Sequence, residues 1–323
     1  MHARTTRMVL ACMATVLLLM MAACASEGSD AAGTDEASRG TVTIGSKIDT
    51  EGELISSIVK LVLEDAGFDV VDKSQTGTTE VVRKSIIAGE IDLYPEYSGN
   101  GYWFFLDDLT DEEKAGYKNG QDGYDTTARI DLEQNGIVWL EPIRANNTWA
   151  LAVRQEFADA EGLETMSDFA EYVAEGRPVK VAASDEFFTS AGNPEFEEVY
   201  GYTLTEDQKI RLAGGNTAAT EKAVAEGTDG VNFGMAYGTD GALADLGLVI
   251  LEDDLGAQIV YWPTPIVRES IADEYPEIAD LLEPVMASLG LEDLQQLNAR
   301  IQVNGEPADA VARDYLVDGG FID

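Results

Sequence analysis

The chain has 323 residues, with 60 acidic side chains against 21 lysines and arginines, and a formal net charge of −39. This length allows one large domain or two medium domains with hydrophobic cores. The strong negative charge argues against nucleic acid and anionic lipid headgroups as partners, because both would repel such a surface.

The first 23 residues have the features of a bacterial signal peptide. Two arginines precede an apolar run, residues 8–23, that is short for a membrane span. The run ends in MAAC, which resembles a lipobox, so we predict cleavage before Cys24 and attachment of diacylglycerol to its sulfur. Met21 stands where lipoboxes prefer Leu, and an ordinary secretory signal is the alternative. Residues 24–40 are predicted to form a flexible polar tether.

The histidine and cysteine positions limit the chemistry of the remaining chain. His2 and Cys12 lie in the predicted leader, so the rest has no His, and no Cys besides Cys24. This excludes Ser-His-Asp and Cys-His catalysis, disulfide bonds and the usual zinc sites. We therefore expect no enzyme activity, no cofactor and no metal. A hydrolase or lyase using Asp92 and Glu96 is a weak rival, because a proline break separates these residues and leaves them no shared face.

The first segment predicts a parallel sheet covered by helices. Strands are predicted at 41–45, 68–72 and 91–94, with intervening helices that begin at Asp49 and Gly77. We expect Pro95 and Gly99 to end the third strand, with Tyr97 at its mouth. Ligands of open α/β sheets bind just beyond the carboxyl ends of strands.

The rest of the chain continues the alternation and then ends in helices. The predictions are helices within 102–135, a strand at 137–140, an apolar run at 150–153, a helix at 166–174, a strand at 179–183, a loop at 184–194, helices at 206–212 and from 215, strands at 248–251 and 259–267, and helices at 276–289, 291–303 and 308–316. This pattern predicts two α/β lobes with chain crossings near Ala145 and Ile259. Lobe 1 is then 41–145 plus 260–323, and lobe 2 is 146–259.

Two segments, 77–90 and 215–228, share a pattern at one constant offset. The aligned residues are Gly77, Thr79, Lys84, Ile86 and Gly89 with Gly215, Thr217, Lys222, Val224 and Gly227. Each segment predicts a Gly/Thr turn, an amphipathic helix and a Gly stop, followed by a short apolar stretch that leads to Tyr97 or Tyr237. The repeat therefore predicts two similar lobes that each present a tyrosine to a shared cleft.

Six motifs carry a family resemblance. In order, GSKIDTE, GTTEVV, GEIDLYPEYSG, NNTWALAVR, AYGTDG and YWPTPIVR resemble the substrate-binding proteins of bacterial ABC importers for glycine betaine, choline and carnitine. The resemblance covers about residues 41–320. It implies an α/β, two-lobed, type II periplasmic-binding-protein fold with the ligand between the lobes. It also implies a monomer outside the cytoplasm, held at the membrane through Cys24, with a permease as partner.

The resemblance implies an aromatic cage for a quaternary ammonium group. Tyr97, Tyr237 and Tyr261 match family tyrosines, and Trp149 stands where the family usually has Tyr. A trimethylammonium group donates no classical hydrogen bond, whereas aromatic faces attract it through their quadrupole and offer an apolar wall. The carbonyl of Asn147 would help to orient the cation.

The other end of the ligand is less well defined by the resemblance. Lys47 matches a lysine that meets the ligand carboxylate in betaine-binding relatives, although its position also suits a surface lysine at a helix start. Ser190 stands near a family arginine, and Asn100 replaces the usual Thr. A clamp without Arg lacks the bidentate fork. Choline, or betaine held by Lys47 and neutral donors, are both open, and a sensor lipoprotein or an amino-acid-like ligand are the alternatives.

Overall fold

The computed structural model describes residues 38–189, 192–212 and 217–323. The predicted signal peptide, Cys24, most of the predicted tether and Ser190 lie outside these residues. Within the described ranges, no helix has the length and apolar character needed to cross a bilayer.

The described strands form two sheets of five strands each. Sheet A contains β1 (Thr41–Lys47), β2 (Asp69–Gly77), β3 (Leu93–Tyr97), β4 (Ile137–Trp139) and β10 (Pro263–Arg268). Sheet B contains β5 (Trp149–Arg154), β6 (Val181–Ser184), β7 (Lys209–Leu212), β8 (Phe233–Tyr237) and β9 (Leu248–Ile250). The strand orders are β2-β1-β3-β10-β4 and β7-β6-β8-β5-β9. One strand from near the C-terminus therefore completes the sheet that the N-terminal strands begin.

The two sheets repeat one plan. The central strand of sheet A, β3, pairs parallel with β1 and antiparallel with β10. The central strand of sheet B, β8, pairs parallel with β6 and antiparallel with β5. Tyr97 ends β3 and Tyr237 ends β8. The aligned sequence segments thus precede equivalent strands of two similar sheets.

Helices cover both sheets. Those of the described residues are α1 (Thr50–Asp65), α2 (Thr79–Ile87), α3 (Asn100–Phe104), α4 (Asp111–Gly116), α5 (Gly120–Asn135), α6 (Gln155–Glu161), α7 (Met166–Ala174), α8 (Asp185–Thr189), α9 (Asn193–Tyr200), α10 (Ala218–Glu226), α11 (Ala242–Asp245), α12 (Glu269–Glu274), α13 (Glu277–Ser288), α14 (Leu291–Gln302) and α15 (Ala308–Asp318). The predicted start of α1 is confirmed, because the side chain of Asp49 caps it by accepting a hydrogen bond from the backbone N–H of Gly52. Gly67 follows the end of this helix with a φ of +92°.

Each sheet has its own hydrophobic core. The core on sheet A includes Ile44, Leu54 and Ile58, and the last three helices pack on α1 to complete it. The core on sheet B includes Leu151, Phe169 and Phe233. The C-terminal helices therefore belong with the N-terminal sheet, as their apolar faces need a partner with an unfilled apolar surface.

Two secondary-structure predictions in lobe 2 were wrong. Residues 184–194, predicted as a loop, contain α8 and the start of α9, because Phe187 and Phe188 are buried and stabilise a short helix that has little local propensity. Residues 206–212, predicted as a helix, form one 3₁₀ turn and then β7, which pairs with β6. Pairing with an open sheet edge here outweighs local helix propensity.

The prediction that β3 ends at Pro95 was also wrong. The strand continues to Tyr97, and Pro95 lies opposite Pro265 of β10. Neither proline has an N–H, so the two share a position of the antiparallel pair at which no hydrogen bonds are exchanged. The parallel neighbour β1 pairs with β3 only at Leu93, so no ladder bond is lost on that side.

The chain passes between the sheets twice, and the two crossing segments lie side by side. The N–H of Asn147 donates to the carbonyl of Tyr261 at 2.9 Å, and the Tyr261 N–H donates to the Asn146 side chain at 2.9 Å. The Thr148 hydroxyl donates to the carbonyl of Ile259 at 2.8 Å. These bonds bring both crossings to one edge of the molecule.

Helix α14 provides a further contact between the two halves. It packs on α1 near sheet A and on α11 near sheet B. The Gln295 side chain donates to the carbonyl of Gly238 at 2.8 Å, and Asn298 donates to that of Thr239 at 3.0 Å. A β-carbon at Gly241 would overlap the backbone of Asn298 and Ala299. The absence of a side chain at Gly241 therefore permits this packing.

We expect Gly241→Ala to destabilise the protein by about 1–3 kcal/mol, because the added methyl forces two backbones apart. Gly116→Ala is the matched control: it lies at the end of an exposed helix, and an added β-carbon there would contact only the Asp122 side chain at 3.3 Å. Its effect should stay below about 1 kcal/mol. Urea unfolding of both variants measures the difference, and equal stabilities would contradict the packing described for α14.

Candidate functional site

A cavity of about 830 Å³ is lined by residues from both sheets. All seven residues predicted to bind the ligand line it: Lys47, Tyr97, Asn100, Asn147, Trp149, Tyr237 and Tyr261. These residues come from distant parts of the sequence, and the two crossing segments and the ends of the central strands bring them together.

Strand pairing places three of the aromatic rings. Tyr237 at the end of β8 lies opposite Trp149 at the start of β5. Tyr97 occupies the equivalent place in sheet A, opposite Pro263. Trp149 also packs edge-to-face on Phe187, with ring centroids 6.0 Å apart. Each sheet therefore delivers aromatic side chains to the cavity from its central antiparallel pair.

Tyr261 lies in the second crossing segment and is held from two sides. Its ring lies against Gly99, where a β-carbon would come within 2.6 Å of it. Its hydroxyl accepts a hydrogen bond of 2.9 Å from the indole N–H of Trp103. Trp103 is a fifth aromatic residue of the lining that sequence reasoning missed, although it lies in the helix that directly follows the recognised motif.

Trp262 does not line the cavity, although it directly follows Tyr261. The Arg144 guanidinium lies 4.9 Å from the Trp262 ring centroid, and the ring packs against Gly120. Because Tyr261 faces the cavity, the alternation of side chains along an extended segment turns its neighbour the other way.

Lys47 is already paired. Its Nζ forms a buried ion pair with Glu96 and lies 4.5 Å from the ring centroid of Tyr97. Glu96 is fully buried and also accepts from the Tyr94 hydroxyl at 2.7 Å, the Tyr97 N–H at 2.8 Å and the Asn100 amide at 2.7 Å. The positive charge of Lys47 is thus balanced, and Asn100 orients its partner.

Glu51, in the first turn of α1, was missed by sequence reasoning although the GSKIDTE motif contains it. Its carboxylate accepts hydrogen bonds of 2.9 Å from the Tyr97 hydroxyl and from the side-chain amides of Asn147 and Asn298. Burial is the main cause that raises the pKa of Glu51 to about 7, and the nearby Asp49 adds to this. The Asn147 side-chain oxygen is buried with no hydrogen-bond partner among the described residues.

A pair of buried acids, Asp240 and Glu221, lies beside Tyr237. Asp240 accepts from the Tyr237 N–H at 2.6 Å, and the pKa values of both Asp240 and its neighbour Glu221 are raised by burial, that of Glu221 to about 8. The ionisable lining residues are Lys47, Asp49, Glu51, Glu186 and Asp240. Four acids therefore line the cavity against one paired lysine, and their ionisation would favour a bound cation.

The rival enzyme hypothesis has no geometric support. Asp92 accepts from the Thr43 N–H at 2.9 Å and from Arg268 at 2.9 Å, while Glu96 is held by Lys47. Both carboxylates are therefore occupied in joining strands. Among the described residues, no group of His, Cys, Asp and Glu could hold a metal ion.

Comparison with known proteins identifies the family. Residues 40–318 match the family described as the substrate binding domain of ABC-type glycine betaine transport systems. The chain belongs to this family. It is 51% identical over 281 residues to the glycine betaine-binding protein YehZ of Escherichia coli, covering 87% of this chain and 91% of that protein. It is 30% identical over 310 residues to a glycine-betaine-binding protein of Pseudomonas aeruginosa, covering 93% and 94% of the two chains.

The solved structure of ligand-free YehZ from Escherichia coli superposes on the present structure with a TM-score of 0.78 at 50% identity. The match covers 87% of this chain and 99% of the YehZ chain. The predicted two-lobed α/β fold of periplasmic binding proteins is confirmed. The relatives are solute-binding proteins and not enzymes, which confirms the prediction made from the missing histidines. Substrate-binding proteins of ABC importers work outside the cytoplasm, as predicted.

We expect Lys47→Met to destabilise the protein by about 3–5 kcal/mol, because it leaves the Glu96 carboxylate buried without its counter-charge. The double variant Lys47→Met/Glu96→Gln should recover most of this loss, since the amide oxygen can still accept from the Tyr97 N–H while the amide NH2 donates to the Tyr94 hydroxyl oxygen. Lys84→Met removes an exposed ion pair and should cost less than about 0.5 kcal/mol. Urea unfolding of the three variants measures this, and wild-type stability of Lys47→Met would show that neutral donors alone support Glu96.

Proposed function

We propose that the protein captures a small quaternary-ammonium solute of the choline or glycine betaine type and delivers it to the permease of an ABC importer. The observation that carries this proposal is the combination of five aromatic rings and an excess of acidic groups around one cavity. The protein performs no chemistry on the ligand.

The lining suits a cation that cannot donate hydrogen bonds. Aromatic faces stabilise such a cation by about 0.5–2 kcal/mol each and bury its methyl groups at the same time. Asn147 also lines this space, and its side-chain oxygen has no hydrogen-bond partner among the described residues. An ordinary ammonium would instead need hydrogen-bond acceptors around it.

The exact ligand depends on how its other end is bound. The relatives named above are glycine betaine-binding proteins, which favours betaine. Among the lining residues only Lys47 is basic, and Glu96 already balances its charge, which favours choline over a carboxylate-bearing ligand. Calorimetric titration with choline, glycine betaine and carnitine decides between these ligands, and no binding of any would refute the proposal.

We propose that the lobes, 41–145 with 260–323 and 146–259, close over the ligand about the two crossing segments. Tyr97 belongs to the first lobe and Tyr237 to the second, so a cation held by both rings would favour the closed state. We further propose that the protein acts as a monomer. Uptake of labelled ligand by cells with and without the gene separates a transport role from a sensory one.

We expect replacement of Tyr97, Trp149, Tyr237 or Tyr261 by Leu to weaken binding by about 1–2 kcal/mol, or roughly five- to thirtyfold. Leu keeps apolar area but removes the quadrupole, so choline and betaine, which share a headgroup, should lose similar affinity. Trp262→Leu is the control, because this ring lies outside the cavity. Calorimetry measures each variant, and four cage variants with unaltered affinity would refute the cage.

We propose that diacylglycerol on Cys24 anchors the protein to the outer face of the cell membrane. Mass spectrometry of the native protein should show a mature chain that starts at a diacylated Cys24, and Cys24→Ser should move the protein from the membrane fraction to the soluble fraction. A native chain that begins at a later, unmodified residue would refute the anchor.

A further inference from the structure

Glu51 combines deep burial with a position on the cavity wall. Only 5% of the residue is exposed, yet it lines the cavity beside Tyr97 and Asn147. None of the ion pairs among the described residues includes Glu51, whereas the fully buried carboxylate of Glu96 has Lys47. Ionising a buried carboxylate without a cationic partner costs free energy. A cation bound in the cavity would offset this cost.

The donors around Glu51 hold it as an acceptor that faces a fixed direction. They are the Tyr97 hydroxyl on β3, the Asn147 amide in the first crossing segment and the Asn298 amide on α14. Together with the side chain of Thr239, these donors fix both carboxylate oxygens without neutralising the charge. Such an arrangement stabilises an anion in place and leaves its field directed to whatever enters the cavity.

The other charged groups near Glu51 do not serve this purpose. Asp49 caps α1, Lys47 on β1 is balanced by Glu96 on β3, and Asp240 near β8 shares its environment with Glu221. Glu186 reaches the cavity from α8 but is exposed to solvent, and α14 contributes the uncharged Asn298 and Gln302. Glu51 is therefore the acid with the strongest claim to pair with a ligand.

We propose that Glu51 is the counter-ion of the bound quaternary ammonium group, so that ligand binding ionises Glu51 and releases its proton to solvent. This inference rests on the proposed function, since it assigns a charge partner to the same ligand. The cation supplies the positive charge that no side chain provides, and the proton leaves the carboxyl group as the ion pair forms.

The hydrogen bonds of Glu51 extend this effect to both lobes. Donation by the Tyr97 hydroxyl to an ionised Glu51 increases electron density in that ring and strengthens its attraction for the cation. The amide of Asn298 donates to Glu51 and also to the carbonyl of Thr239, two residues beyond Tyr237. Ionised Glu51 thus binds more firmly to the helix that contacts the second lobe.

The sign of the pH dependence follows from the burial of Glu51. Burial holds its pKa at about 7 in the free protein, and a nearby cation lowers it. Affinity for the cation is therefore greatest above the free-state pKa and falls as pH decreases towards the pKa of the complex. Each unit of difference between these two pKa values changes the affinity tenfold.

Calorimetry with choline and with its neutral carbon isostere, 3,3-dimethylbutan-1-ol, tests the proposal. For the wild type, choline affinity should rise about ten- to a hundredfold between about pH 5.5 and about pH 8.5, and titration near neutrality in two buffers should show proton release. Glu51→Gln should remove the proton release, flatten the pH dependence and reduce the preference for choline over the isostere by about tenfold or more. Betaine should be run beside choline in each titration.

Glu53→Gln and Glu221→Gln are the matched controls. Glu53 lies on the same helix outside the cavity and accepts from the Gln75 amide at 2.6 Å, so its variant should behave as the wild type. Glu221→Gln should retain the proton release, which separates Glu51 from the other buried acids. These control titrations also identify the source of the proton if Glu51→Gln does not fold.

The outcomes separate the inference from the function on which it rests. No binding of choline or betaine by the wild type would overturn the proposed function together with the inference. Binding by the wild type without proton release would overturn the inference alone. The same holds if Glu51→Gln keeps the proton release, or if it weakens choline and the isostere equally, because the latter marks a purely structural role.

Discussion

The buried carboxylate of Glu96 joins the parts of sheet A that surround the cavity. It sits inside β3, is fully buried, and takes its counter-charge from Lys47 at the end of β1. Tyr94 and Asn100 donate to it as well, so one charge links two strands to the start of α3. Charge pairing in a low-dielectric interior requires correct geometry, and it positions Tyr97 at the mouth of β3.

The buried acids of this region are of two kinds. Glu96 and Asp92 have internal cationic partners, whereas Glu51 and the Glu221–Asp240 pair have none among the described residues. The first kind stabilises the fold, and the second becomes fully ionised only when a cation is close. A ligand cation between the lobes would stabilise that ionised form, which connects the electrostatics of the cavity with the proposed closure.

The two sheets also share an arginine contact at the opposite end of their central strands. Arg154 ends β5 and donates to the carbonyl of Val224 near the end of α10, while Arg268 ends β10 and donates to Asp92 just before β3. In each sheet an arginine therefore fixes the turn that leads from the repeated helix into the central strand. This correspondence adds to the aligned glycines and gives the repeat a physical basis in both lobes.

The sequence by itself determined the alternation of strands and helices, the exclusion of histidine and thiol chemistry, and four of the five aromatic residues that meet at the cavity. These properties depend on local periodicity and on motifs, both of which are read along the chain. It did not determine that α8 is helical or that residues 209–212 form a strand, because burial of Phe187 and pairing with β6 decide these segments.

Only the tertiary structure decided the charge states in the cavity. Lys47 was expected to meet a ligand carboxylate, but its partner Glu96 lies 49 positions along the chain. Glu51 gains its role from Asn147 and Asn298, which lie 96 and 247 positions away. Desolvation and long-range pairing arise only when these distant segments meet, so no local pattern could reveal which acid would remain without a cation.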